Sequence, residues 1–369
     1  REFADVFQQI RKQNWVMAIT LADDYNNKNL SSYVRWLDIT RPGSNHNFNY
    51  LVKFYNNHQN WPEKEKIIKK IESSITKEQS STEIRKWFKK NPPLTSKGSI
   101  DFLEAKIKVG EKIDLQREVK NIWINKNLTF KQQKYFISKY SKYWDNLDNW
   151  NRFKRLNYEG KNVSARRTLN RISGDLRKLG EARLALSRRS PDVAKLIRNV
   201  PKNLQNDPGL IYERMRWRRK AKLPTAAEFL YDPPDKIENV RNWWINSRIV
   251  VRRLLNKKKY TQAYNILNNH KLPLRTDSGR EAEWLAGWVA IHHLKKPKKS
   301  IEHFKKVYEN TPNESMKAKA AYWISEANGL TNQKNEEIIW LKIASKNKFS
   351  FYGQNASIKL GNFEFKKEK

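Results

Sequence analysis

The densest chemistry in this chain is basic. Three arginine clusters stand out: SARRTLNR with Arg166, Arg167 and Arg171, ALSRRS with Arg188 and Arg189, and ERMRWRRKAK with Arg214, Arg216, Arg218, Arg219, Lys220 and Lys222. A guanidinium presents a planar fork of donors that fits carboxylate or phosphate oxygens two at a time, so each cluster is a candidate clamp for an anionic polymer. The competing reading of each is a charged outer helix face. Trp217, Trp284, Trp288 and Trp323 could stack on sugar rings or bases, although at helical spacing such residues belong more often to a core.

Cleaving a polymer would need a placed acid and base. The carboxylate neighbours Asp23-Asp24, Glu281/Glu283 and Glu336-Glu337 project about 100° apart per residue step on a helix, which is wrong for a pair flanking one bond. They are expected to be solvated faces. The six histidines, His46, His58, His270, His292, His293 and His303, show no HExxH spacing and have no cysteine nearby, so each is expected to be satisfied locally or exposed. No glycine-rich phosphate cradle and no G-x-S-x-G turn occurs. The motifs describe a binder or scaffold, with no catalytic residue, cofactor or metal expected.

Composition says what such clusters could meet. The formal charge of +37, from 75 Lys+Arg against 38 Asp+Glu, draws polyanions: nucleic acid, an acidic membrane surface, or a carboxylate-rich polymer such as bacterial cell wall. Richness in Asn and Ile attributes part of that charge to compositional drift, but the arginines are harder to explain so. Aromatic residues make up 12% of the chain, so the low mean hydropathy of -0.91 reflects a charged surface over a real core. Cysteine is absent, which excludes a disulfide frame and a thiolate metal site. No run of about 18 apolar residues appears, which excludes a spanning helix. The chain opens on Arg1 rather than Met, and an upstream segment such as an export signal is expected to have been removed or left out.

The elements that carry these residues read as helices throughout. Phe3, Val6, Phe7 and Ile10 share one helical face, and no strand-type alternation is sustained. Ser80 with Glu83 and Thr129 with Gln132 have capping-box spacing. Pro92-Pro93, Pro201, Pro208, Pro233-Pro234, Pro273 and Pro312 fall between periodic stretches, where a missing amide hydrogen does no harm.

The spacing also predicts a helical-hairpin repeat. Ala263, Ser300 and Glu336 lie 37 and 36 residues apart, each followed four residues later by a large residue, Leu267, Phe304 and Trp340. NWVMAITLA, with Trp15, Ala18 and Ala22, reads as an earlier copy. No flexible linker interrupts the chain, so residues 1–369 are expected to form a single all-α domain, a right-handed superhelix (α-solenoid) of stacked helical hairpins. Its expected parts are irregular hairpins over 1–232, TPR-like hairpins over 233–345, and the start of a linker over 346–369.

At this point the residues resemble a family. EAEWLAGWVAIHHL (281 to 294), SIEHFKKVYEN (300 to 310), KAAYWISEANG (319 to 329) and FYGQNASIKLG (351 to 361) are similar to the superhelical region of soluble lytic murein transglycosylases, which cleave the peptidoglycan glycan. FYNNHQNWPEKEKI (54 to 67) looks like that family's helix-Trp-Pro turn, KWFKKNPPLTSKG (86 to 98) like its Pro-Pro-Leu-Thr hinge, and DPGLIYERMRWRRKA (207 to 221) like its Arg-rich helix.

The resemblance implies an α-superhelix followed by a lysozyme-like catalytic domain with one essential glutamate, giving 1,6-anhydro products. Nothing in this chain matches that glutamate's motif: Glu314-Ser315 is followed by MKAKAAYW and reads as a helix start inside the repeat. The chain is therefore expected to be a non-catalytic scaffold that binds or positions peptidoglycan glycan strands in the periplasm, for a lysozyme-like domain expected in cis after Lys369. The arginines named above are its candidate glycan-binding residues. Two alternatives stand beside this reading, a helical-repeat nucleic-acid-binding protein and a TPR-like protein-interaction scaffold. The irregular repeat carries no one-base-per-repeat code, which makes nucleic acid the less expected partner. FYGQ is expected to pack Phe351 and Tyr352 back on the hairpin containing Trp340, with Gly353 permitting close approach, or else to form an exposed docking patch.

Overall fold

The computed structural model describes residues 3–361, and its regular elements among those residues are all helical. The start signals act as the sequence implies. Ser80 and Thr129 each accept from the backbone N–H three residues on, while Glu83 and Gln132 reach back to the cap backbone, completing two capping boxes. Val6 is fully buried on the helix Ala4–Arg11, with Phe3 and Ile10 half-buried beside it.

The cores fall into two compact units divided between residues 152 and 153. In the first, Ile39, Leu51, Ile71 and Phe88 anchor one apolar cluster, and Leu103, Val119, Trp123 and Phe136 another. Pro92-Pro93-Leu94-Thr95, hinge-like in sequence, is tied down. The fully buried carboxylate of Glu72, on the helix Lys64–Ser74, accepts from the backbone N–H groups of Leu94 and Thr95, both at 2.7 Å. Two charge-assisted hydrogen bonds to backbone fix this turn before the helix Ser96–Lys108.

In the second unit, successive helices from Val240–Asn256 to Phe351–Lys359 pack on one another. A recurring turn marks their period. Lys258, Lys295 and Asn332 adopt left-handed backbone (φ 57°, 54° and 58°) and are 37 residues apart each time. The next residue is the N-cap, and the helices Tyr260–Asn268, Pro297–Asn310 and Lys334–Ser345 open two residues after each left-handed position. Ala263 and Ser300 are the fourth residues of the first two helices and are fully buried, with Leu267 and Phe304 buried one turn on. The third copy is shifted by one from the sequence expectation: its fourth residue is Glu337, not Glu336, and the large buried residue is Leu341, not Trp340. The turn keeps the register, and the exposed Glu336 has no part in it. Gln13 (φ 59°) precedes the helix Trp15–Asp24 in the same way, with Ala18 and Ala22 fully buried.

FYGQ opens the helix Phe351–Lys359, so the expected linker is helical over those nine residues, after a non-helical turn at 346–350; residues 362–369 of that call lie outside the described residues. A Cβ on Gly353 would collide with the Asn347 carbonyl, which makes glycine necessary there. The two rings part company. Tyr352 packs on Tyr322 of the helix Glu314–Gly329 (centroids 5.5 Å apart), whereas Phe351 is 68% exposed. Trp340 instead meets Tyr308.

Candidate functional site

Three helices of the second unit, Asn162–Leu169, Gly174–Arg188 and Val193–Arg198, frame a cleft of about 560 Å³. Arg166 comes from the first, Arg177 and Arg188 from the second, and Arg189 from its end. Arg189 is placed by a helix stop: it takes left-handed backbone (φ 57°), its N–H bonds the Leu186 carbonyl, and the Ser190 N–H bonds the Ala185 carbonyl. Such a closure satisfies the orphan carbonyls of the last turn and swings the next side chain out of the helix. Arg166, Arg188 and Arg189 are exposed, with no carboxylate partner among the described residues. Arg177 pairs with Glu181 at 3.0 Å. Leu169, Leu184 and Ala185 form an apolar base.

The Arg-rich helix, Pro208–Lys220, adds a second cationic group. Burial, then the charges of Arg216, Arg189 and Arg219, lower the Lys220 ammonium from its ordinary range. Burial, then Arg253 and Arg216, do the same to the Arg219 guanidinium, whose buried Nε has no hydrogen-bond partner. Like charges held this close favour any anion that can enter among them. The other side of the helix is committed internally. Arg214 and Arg218 lie over the Phe229 ring and Arg218 pairs with Glu228 at 3.0 Å; on the cationic side, Arg216 also pairs with Glu213 at 3.1 Å.

The nine arginines singled out in the sequence thus divide. Arg166, Arg188 and Arg189 share one cleft, and Arg216 and Arg219 stand in the charge field that includes Arg189. Arg167 bonds Ser164 at 3.1 Å, Arg171 does not line the cleft, and Arg214 and Arg218 cover Phe229. Sequence reasoning missed Arg177, although Arg177, Glu181, Leu184 and Arg188 share one helical face and so signal it. It also missed Arg183. This fully buried side chain reaches Asp207 at 3.2 Å, and Asp207 caps the Arg-rich helix by accepting from the Leu210 N–H at 2.8 Å. Arg183 therefore sets where that helix begins.

The carboxylates correct one expectation. Glu281 is exposed, accepting from Trp244 Nε1 at 2.7 Å and from Arg248, but Glu283 is buried rather than solvated. It accepts from His270 Nε2 (3.3 Å), His303 Nδ1 (2.5 Å) and Lys306 Nζ (3.0 Å), and His303 Nε2 in turn meets the Tyr264 hydroxyl at 3.0 Å. Burial alone would raise this carboxyl; the three donors outweigh it and hold it well below the usual carboxylate range. His270 and His303 are thus satisfied locally. Glu213 is the opposite case: burial raises its carboxyl against the pull of Arg216 and Arg183. Both acids are enclosed. Among the described residues, no three His, Asp or Glu side chains converge as a metal-holding group.

Two solved structures share this architecture. The crystal structure of the 70 kDa soluble lytic transglycosylase from Escherichia coli aligns with a TM-score of 0.57 at 15% identity, covering 97% of this chain and 57% of that one. A complex of the 70-kDa soluble lytic transglycosylase with bulgecin A aligns with a TM-score of 0.56 at 14% identity, covering 100% of this chain and 58% of that one. What is shared is the fold. The chain spans less than two thirds of the transglycosylase structures it matches. No protein-family model matches it, and no curated protein sequence does. No described helix is long and apolar enough to cross a membrane.

Proposed function

We infer that this chain is a non-catalytic helical scaffold of a lytic transglycosylase-like protein, and that it binds peptidoglycan strands. The observation that carries the reading is the cleft of Arg166, Arg177, Arg188 and Arg189, set on a fold similar to that of a soluble lytic transglycosylase. Peptidoglycan carries free carboxylates on its stem peptides. The exposed guanidinium forks of Arg166, Arg188 and Arg189, which have no carboxylate partner among the described residues, match carboxylates in geometry and charge. In this reading the neighbouring cations Arg216, Arg219 and Lys220 extend the contact, and bond cleavage belongs to a lysozyme-like domain for which this scaffold holds the strand. The setting is the periplasm, where such a polymer lies.

The test is sedimentation of the purified 369-residue chain with cell-wall sacculi. Many weak ionic contacts are screened beyond about 8–10 Å at physiological salt, so binding at low ionic strength with release at high salt is the expected result. Prolonged incubation should leave the sacculi intact. Release of anhydro-muropeptides would overturn the non-catalytic reading, and tighter, salt-resistant binding to RNA would move the assignment to nucleic acid.

A further inference from the structure

The two histidines that share Glu283 are bonded in opposite senses. His270 is buried in the connection between the helices Tyr260–Asn268 and Asp277–His292. Its Nδ1 lies 2.8 Å from the backbone N–H of Leu272, which can only donate, so that nitrogen accepts and carries no proton. The ring proton then sits on Nε2, facing Glu283 Oε1 at 3.3 Å. His303 is reversed: its Nδ1 meets Glu283 Oε2 at 2.5 Å and carries the proton, which leaves Nε2 to the Tyr264 hydroxyl at 3.0 Å. A hydroxyl can turn from donor to acceptor, so His303 can take a second proton in place. The Leu272 N–H cannot turn. A second proton on His270 therefore breaks the Leu272 bond.

That bond closes a turn on which the next hairpin depends. Lys271, between the two bonded residues, has left-handed backbone (φ 50°). Its ammonium ties the turn to Asp235 at 2.9 Å, to Asp232 at 3.2 Å and to the Pro233 carbonyl at 2.9 Å. The Pro273 carbonyl accepts from the Thr276 N–H at 3.0 Å and lies so near Gly279 that a Cβ there would collide with it. Arg280 Nη1 donates to the carbonyls of Leu274 and Asn310, both at 3.3 Å, and so joins this connection to the end of the helix Pro297–Asn310.

We propose that His270 is an acid-operated latch: a second proton, on its Nδ1, opens residues 270–276 and loosens their tie to Asn310 while the flanking helices stay folded. The imidazolium keeps its Nε2–H bond to Glu283 and loses only the turn, so the proton and the closed turn exclude each other. The other charges around the site are already engaged. Lys306 bonds Glu283 at 3.0 Å, Glu302, whose charge reaches Tyr264, pairs with Lys299, and Asp232 and Asp235 hold Lys271. Glu283, held well below the usual carboxylate range, stays ionised across about pH 5–8, where histidines exchange protons.

The test is hydrogen exchange of the full 369-residue chain, read by mass spectrometry from about pH 8 to about pH 5 and corrected for the intrinsic rate. Protection over 270–276 should fall about tenfold or more on acidification. The equivalent connections at 311–313 and 346–350, which hold no histidine, should keep theirs. His270→Asn places a carboxamide oxygen that can accept from the Leu272 N–H and does not titrate, so this variant should stay protected across the whole range. His303→Gln should keep the acid response of the parent. Two-bond proton–nitrogen correlation spectra of the parent at about pH 8 should show His270 as the Nε2–H tautomer, and they decide the matter if His270→Asn does not fold. A proton on Nδ1 of His270 at that pH, no loss of protection on acidification, or an acid response that survives in His270→Asn overturns the proposal.

Discussion

The guanidinium of Arg183 lies against Gly209, so close that a Cβ at that position would overlap its central carbon. Glycine in a helix is ordinarily a cost of about 0.5–1 kcal/mol relative to alanine. Here the contact reverses the sign, because Arg183 is fully buried and pinned to Asp207, the cap of the same helix. Gly209→Ala should therefore destabilise the chain by about 1–3 kcal/mol through overpacking. Urea unfolding checks it; an alanine variant as stable as the parent would mean that Arg183 moves aside freely.

The arginine cleft makes a graded prediction. Charge reversal at Arg188 and Arg189, both exposed and without ion pairs among the described residues, should weaken sacculus binding more than the same change at Lys257, Lys258 and Lys259. Reversal at Arg218 should act mainly on stability, since that side chain pairs with Glu228 and covers Phe229. Co-sedimentation at a series of salt concentrations reads the first effect as a shallower salt dependence, and thermal melting reads the second.

Glu283 makes the C-terminal hairpins acid-sensitive. Its folded pKa lies below the unfolded value of 4.5, so it contributes stability that is present above that value and is lost as pH falls below it. Glu283→Gln should be less stable than the parent at neutral pH by about 1–3 kcal/mol, since donors from His270, His303 and Lys306 lose a charged acceptor. The gap should narrow toward about pH 3. Urea midpoints for both proteins across that range test it, and parallel curves would remove Glu283 as the cause.

Two lysines hold backbone that favours glycine. Left-handed backbone costs a residue with a Cβ about 1–2 kcal/mol, against about 0.5–1 kcal/mol for the extra unfolded-state freedom of glycine. Lys258→Gly and Lys295→Gly should each therefore stabilise by roughly 0.5–1 kcal/mol. The neighbouring Lys257, with φ −87°, has no such strain to relieve, and glycine there should destabilise. Melting temperatures of the three variants give the signs directly.

The helices were legible because their causes are local. Ser80, Glu83, Thr129 and Gln132 carry both halves of their capping boxes within four residues. The repeat was legible from Ala263 and Ser300, whose smallness shows in the sequence, but not at its third copy. There the register is held by the backbone of Asn332, and Glu337 takes the place of a small residue. Arginine runs were equally visible, yet which arginines converge depends on how three helices meet. Arg188 and Arg189 flank a helix stop that aims them into a cleft, while Arg214 and Arg218 look the same in the sequence and turn to Phe229. Glu283 escaped for the same reason: its partners His270 and His303 are 13 and 20 residues away, on other elements.

The turns at Lys258, Lys295 and Asn332 also determine which changes of length the second unit can absorb. Each left-handed residue resets the rotation of the helix that follows, so duplicating residues 296–332 would add a further copy with every apolar side still facing a neighbour. A one-residue deletion inside Pro297–Asn310 would rotate all that follows in that helix by about 100°, turning Phe304 and Val307 to water while the next turn restored order beyond it. A change of length is thereby expected to be confined between consecutive turns, so that insertion of a whole 37-residue copy should disturb the packing less than insertion or loss of a single residue.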